Sequence, residues 1–111
     1  MDLPDLDICN SSQLNIFIKD NNINTVINCA AYTAVDKAEQ DSDTANKVNA
    51  TGVLNLISAL EKVDGKLIHI STDYVFDGNS FLPYQELDQV NPIGVYGNTK
   101  RSGELAVINS D

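Results

Sequence analysis

Tyr96 and Lys100 stand four residues apart in the run Val95-Tyr96-Gly97-Asn98-Thr99-Lys100, a spacing that sets a phenol and an ammonium on one face of a helix. A free phenol titrates at about pH 10, so it exchanges a proton at neutral pH only where a nearby positive charge favours the phenolate. Lys100 is spaced to supply that charge. Taken alone, the same spacing also describes an ordinary amphipathic helix with a solvated lysine. Two further groups strengthen the chemical reading. Ala30-Ala31-Tyr32-Thr33 offers small side chains that let a flat ligand approach the backbone, and Ser71-Thr72-Asp73-Tyr74 offers hydroxyls and a carboxylate. An alcohol beside a phenol and an ammonium can polarise a ketone, protonate its oxygen and hold a cofactor.

These groups meet only if the intervening elements bring them together, and the order of elements predicts an α/β fold with a parallel sheet and crossover helices. An opening segment ends near Ile8, and Ser11 or Ser12 is expected to cap a helix carrying Leu14, Phe17 and Ile18. Thr25-Val26-Ile27-Asn28-Cys29-Ala30 reads as a strand buried on both faces. From Asp43 to Val63, Ala45, Val48, Gly52, Leu56 and Ala59 form an apolar stripe, which predicts one long helix ended by Asp64-Gly65. Lys66-Leu67-Ile68-His69-Ile70-Ser71 reads as a second central strand, residues 77–92 as a long functional loop, and residues 94–109 as a last helix. In open α/β sheets ligands bind beyond the carboxyl ends of the strands, where all three polar groups fall.

With 111 residues and 42% apolar content, the chain can bury one modest core, so one domain or part of one is the ceiling. A formal net charge of -9 argues against nucleic acid or an anionic membrane as partner. Cys9 and Cys29 have neither metal-ligand spacing nor a disulfide-rich context, Cys29 reads as a buried thiol, and a reducing cytoplasm fits. No apolar run reaches membrane-spanning length, and residues 1–5 lack the start of a signal peptide, so a soluble, unexported protein is expected. Asp36, Glu39, Asp41 and Asp43 are scattered as charges favoured at helix N-termini are, so no metal site is expected, and His69 is read as a half-buried strand residue.

The sequence resembles the extended short-chain dehydrogenase/reductases, most closely the branch acting on dTDP-4-dehydrorhamnose. The resemblance runs from Asp7 to Glu104. It rests on the run from Asn28 to Glu39, on Val48-Asn49-Ala50, on the run from Ser71 to Gly78, and on Pro92 through Tyr96 and Lys100 to Gly103-Glu104. A partial Rossmann-like doubly wound parallel sheet is what it implies. It makes Tyr96 the general acid toward a 4-keto oxygen, Lys100 its partner and a contact of the nicotinamide ribose, and Thr72 the hydroxyl on the substrate carbonyl. Asp73, Tyr74 and Val35 match substrate-facing positions. Ala30, Ala31 and Tyr32 match the stretch beside the cofactor's ribose and pyrophosphate, and Asp7-Ile8 the pair meeting its adenine, with a simple turn Asp as the competing reading of Asp7. Asn49 matches an amide that bonds the backbone of a neighbouring strand.

The implied reaction is reduction of dTDP-4-dehydro-L-rhamnose to dTDP-L-rhamnose with NADPH or NADH, feeding cell-surface polysaccharide. The resemblance leaves room for a homodimer of the full-length protein. The family's first strand, its glycine-rich turn and its substrate domain have no counterpart among the residues, and the six glycines lack the phosphate-binding spacing. Residues 1–111 are therefore expected to be an incomplete NAD(P)-binding Rossmann-like domain, inactive by itself. Two other readings stay open, a non-catalytic module resembling the regulatory subunit of methionine adenosyltransferase and a nucleotide-sugar epimerase.

Overall fold

In a computed structural model the structure describes residues 5–110. Helix α1 (Ser11–Asp20) is followed by strand β1 (Thr25–Asn28), short helices α2 (Val35–Ala38) and α3 (Ser42–Asn46), a π-helical turn (Lys47–Thr51) and helix α4 (Gly52–Glu61). Strand β2 (Lys66–His69), a 3-10 turn (Asp73–Val75) and helix α5 (Val95–Ile108) complete the order. β1 and β2 pair in parallel, Thr25 with Lys66 through Asn28 with His69, so the α/β class and the crossover are as expected.

The cap of α1 is Asn10, not a serine: its Oδ1 accepts from Gln13 N at 3.0 Å, which satisfies one of the orphan donors of the first turn. Leu14 and Ile18 then share one buried face and meet Leu56, Ala59 and Leu60 of α4, with Val26 and Leu67 of the strands packed against them. Each such aliphatic side chain, fully buried, contributes about 1.5–3 kcal/mol. This core lies on one face of the sheet, and α5 approaches the same face through Gly103 against His69. On the other face Ile27, Ile68 and Ile70 are half or more exposed, which corrects the expectation of strands buried on both faces. An apolar run reads alike whether one face is covered or two. Cys29, expected as a buried thiol, is exposed.

The long helix over residues 43–63 is also corrected in detail. A separate α2 precedes it, and the π-helical turn inserts one residue into the ladder between α3 and α4, which brings Asn49 and Ala50 inward together. Both strands end two residues short of their apolar runs, at Asn28 and His69. The N-cap of α5 is Gly94, which has no side chain to offer, and Glu39 caps the helix from a distance, its Oε1 accepting from Val95 N at 2.7 Å.

Candidate active site

Helix α5 carries Tyr96 and Lys100 on its inner side. Tyr96 is 9% exposed, packs with Ala38 and Ala45, has Tyr32, Val35 and Val95 around that cluster, and meets the ring of Tyr74 edge-on at 5.4 Å. Among the described residues its hydroxyl has no hydrogen-bond partner. Lys100 is only 3% exposed and donates from Nζ to the carbonyl of Ile70 at 2.6 Å, leaving two of its N–H groups for another acceptor. Burial pushes the Lys100 ammonium toward an easier loss of its proton, and the nearby Glu104 carboxylate opposes that.

The strip beyond β2 lies along this helix. A Cβ on Gly97 would run into the carbonyl oxygen of Tyr74 and into Pro92, so glycine permits the close approach. Thr72 is half-buried and caps the 3-10 turn: its Oγ1 accepts from Tyr74 N at 3.2 Å and donates to Asp73 Oδ1 at 3.3 Å. Asp73 is exposed, and so is half of Tyr74. Ser71 Oγ donates to Glu104.

The strip beyond β1 reaches the same helix through Asn49, which is 1% exposed. Its Oδ1 accepts from Tyr32 N at 2.8 Å, and its Nδ2 donates to Tyr32 O and to Thr99 Oγ1, each at 3.1 Å. Thr99 Oγ1 in turn donates to the carbonyl of Tyr96 at 2.9 Å. One amide thus couples the loop of Ala30, Ala31 and Tyr32 to the helical turn between Tyr96 and Lys100. Tyr32 OH donates to Asp41 at 3.2 Å; desolvation first, then that carboxylate, raises the Tyr32 phenol above its ordinary range. Ala30 is exposed, Ala31 half-buried, and Val35 opens α2 beside the Tyr96 cluster.

Asp7 and Ile8 lie by the π-helical turn. Asp7 Oδ1 accepts from Cys9 N at 2.8 Å, an Asx turn, while Ile8 packs on Gly52 and the α1–α4 core and its carbonyl accepts from Asn55 at 3.0 Å. The structure thus draws Tyr96, Lys100, Val35, Tyr32 and the strip of Thr72 and Tyr74 into one neighbourhood, whereas the contacts of Ile8 are with Gly52, Asn55 and the α1–α4 core. Sequence reasoning passed over Thr99, Glu39, Ser71 and Glu104 as partners; only the run from Ser71 and the pair Gly103-Glu104 hinted at two of them.

A parallel strand pair with a long crossover, and a helix bearing Tyr-x-x-x-Lys across the strand ends, define a Rossmann-type α/β segment of the short-chain dehydrogenase/reductase kind. The chain belongs to the family described as RmlD substrate binding domain, whose model matches residues 1–111. It is 47% identical over 103 residues to a dTDP-4-dehydrorhamnose reductase of Mycolicibacterium smegmatis, covering 92% of this chain and 31% of that one. A crystal structure of a dTDP-4-dehydrorhamnose reductase from Clostridium acetobutylicum is 48% identical, with a TM-score of 0.95 over 100% of this chain and 40% of that one. Another, from Bacillus anthracis in complex with NADP, is 42% identical with a TM-score of 0.90, covering 95% of this chain and 37% of that one. The chain therefore spans between 31% and 40% of the length of these relatives. Among the described residues no helix is long and apolar enough to cross a membrane.

Proposed function

We propose that this chain carries the proton-donating half of a dTDP-4-dehydrorhamnose reductase, in which the 4-keto group of the dTDP-linked sugar is reduced at the expense of NADPH or NADH. One observation carries the reading: the Tyr96 hydroxyl, without a partner among the described residues, lies one helical turn from a buried ammonium at Lys100, beside the strip of Thr72. The relatives' names favour the reductase over the regulatory module and the epimerase.

The chain's own groups fit a nicotinamide dinucleotide. Lys100 retains N–H donors for a ribose hydroxyl, and the small, accessible Ala30 and Ala31 leave the backbone beyond β1 open to a flat ligand. Ala30, Ala31, Tyr32, Tyr96 and Lys100 would hold it, with Asp7 and Ile8 toward the adenine. When bound, this group supplies the hydride.

The remaining steps belong to the protein. Thr72 turns its hydroxyl from Asp73 to the substrate's carbonyl oxygen, and Tyr96 gives that oxygen a proton as negative charge develops on it. Lys100 stabilises the phenolate left behind. Val35, Asp73 and Tyr74 line the sugar side.

The test is oxidation of NADPH by dTDP-4-dehydrorhamnose with the full-length protein. Tyr96→Phe is expected to lower kcat by about 10²–10⁴-fold, the usual worth of a positioned acid. A Tyr96→Phe protein as fast as the wild type would sink the assignment. Homodimerisation of the full-length protein and its place in the cytoplasm belong to the same reading.

A further inference from the structure

Glu104 lies one helical turn beyond Lys100 on α5. Its Oε1 accepts from the hydroxyl of Ser71, and its Oε2 pairs with Arg101 Nη1 at 2.7 Å. Ser71 directly precedes Thr72, and its other neighbour, Ile70, gives its carbonyl to Lys100 Nζ at 2.6 Å. The strip leaving β2 is therefore tied to α5 at two successive turns, by an ammonium and then by a carboxylate.

The sheet cannot hold this strip. In the last bond to β1 Ile70 N donates to Asn28 O at 3.2 Å, and among the described residues Ser71 makes no backbone–backbone hydrogen bond. Its side chain is what holds it. Glu104 is itself largely covered, its side chain only 19% exposed.

We propose that Glu104 is a positioning residue of the reductive centre, its carboxylate fixing, through Ser71, the strip of Thr72 against the helix of Tyr96 and Lys100. This rests on the reductase reading above. The Arg101 pair orients the carboxylate while leaving Oε1 to Ser71.

In the full-length protein, Glu104→Ala and Ser71→Ala are each expected to lower kcat about tenfold with KM for NADPH changed by less than about twofold, because a displaced Thr72 weakens the transition state more than cofactor binding. The double variant should fall no further than Glu104→Ala alone, since both remove one contact. Glu104→Gln keeps an oxygen for the Ser71 hydroxyl and should recover most of the rate. An unaltered kcat in Glu104→Ala, multiplying losses in the double variant, or an equal loss in Glu104→Gln would overturn the proposal.

Hydrogen exchange of the hydrogen-bonded amides of Ile70, Tyr74, Val75 and Phe76, which flank Ser71, does not depend on turnover and is read by mass spectrometry on the same proteins. About tenfold faster exchange is expected in Ser71→Ala and Glu104→Ala, and unchanged exchange overturns the proposal whatever the kinetics. Faster exchange in a protein whose wild type fails to reduce the sugar supports the Ser71–Glu104 tie and sinks the reductase reading alone.

Discussion

His69 has one ring nitrogen in a hydrogen bond and the other buried without a partner among the described residues. Asn28 Oδ1 accepts from Ala30 N, so its amide nitrogen faces His69 Nδ1 at 3.1 Å and the ring proton belongs on Nε2. Desolvation first, then the Lys100 charge, depresses the pKa of His69 below its ordinary 6.5. As pH falls through 6.5 the unfolded chain takes up this proton before the folded one does, so stability is lost, and the loss is complete once pH is below the folded value. The urea midpoint is expected to fall as pH drops from neutral through 6.5, and His69→Gln should flatten that slope. Asp41 and Asp77, both held below the ordinary 3.8 by hydrogen bonds, add their own losses only at more acid pH. Asn49 is the costlier residue to lose. Asn49→Ala strands both main-chain polar groups of Tyr32 beside the Thr99 hydroxyl, and urea denaturation should register a loss of about 2–3 kcal/mol.

At the scale of elements, α5 depends on two glycines at its contacts. A Cβ at Gly97 would strike the Tyr74 carbonyl, and one at Gly103 the Asn49 carbonyl; both obstacles are backbone, which cannot swing aside as a side-chain tip can. Gly97→Ala is expected to destabilise by about 1–3 kcal/mol, the usual cost of overpacking, measured by thermal or urea unfolding. It should also displace Tyr74 from Tyr96. The helix itself was legible from the sequence, because a Tyr and a Lys four apart stay on one face wherever the helix starts. Its cap was not legible, since Glu39 lies 56 residues away from Val95 and no local pattern records such a contact. The π-helical turn was hidden for another reason. One extra residue in the ladder leaves composition and the apolar stripe nearly unchanged while turning Asn49 inward, so the resemblance singled out Asn49 where periodicity did not. The Ser71–Glu104 tie joins two exposed or half-exposed polar residues, which composition cannot tell from solvated ones.

For the whole molecule, the two-stranded sheet has a working face and a bare one. The core, α4 and α5 lie on the first; Ile27, Ile68 and Ile70 are 62%, 51% and 50% exposed on the second. Adjacent exposed aliphatic side chains bind apolar dyes. The 111-residue chain by itself is expected to enhance the fluorescence of anilinonaphthalene sulfonate, and an Ile27→Thr, Ile68→Thr double variant to reduce the signal; equal signals would show that the dye reads another surface. The register has a different consequence. Asn28 and His69, side by side in the ladder, are 41 positions apart along the chain. Ends so distant meet at an entropic cost that ladder bonds return only afterwards, which favours prior collapse of the helices between them. Strand pairing is therefore expected to follow the collapse of the helices, and the segments leaving the strand tips to dock on α5 only after it.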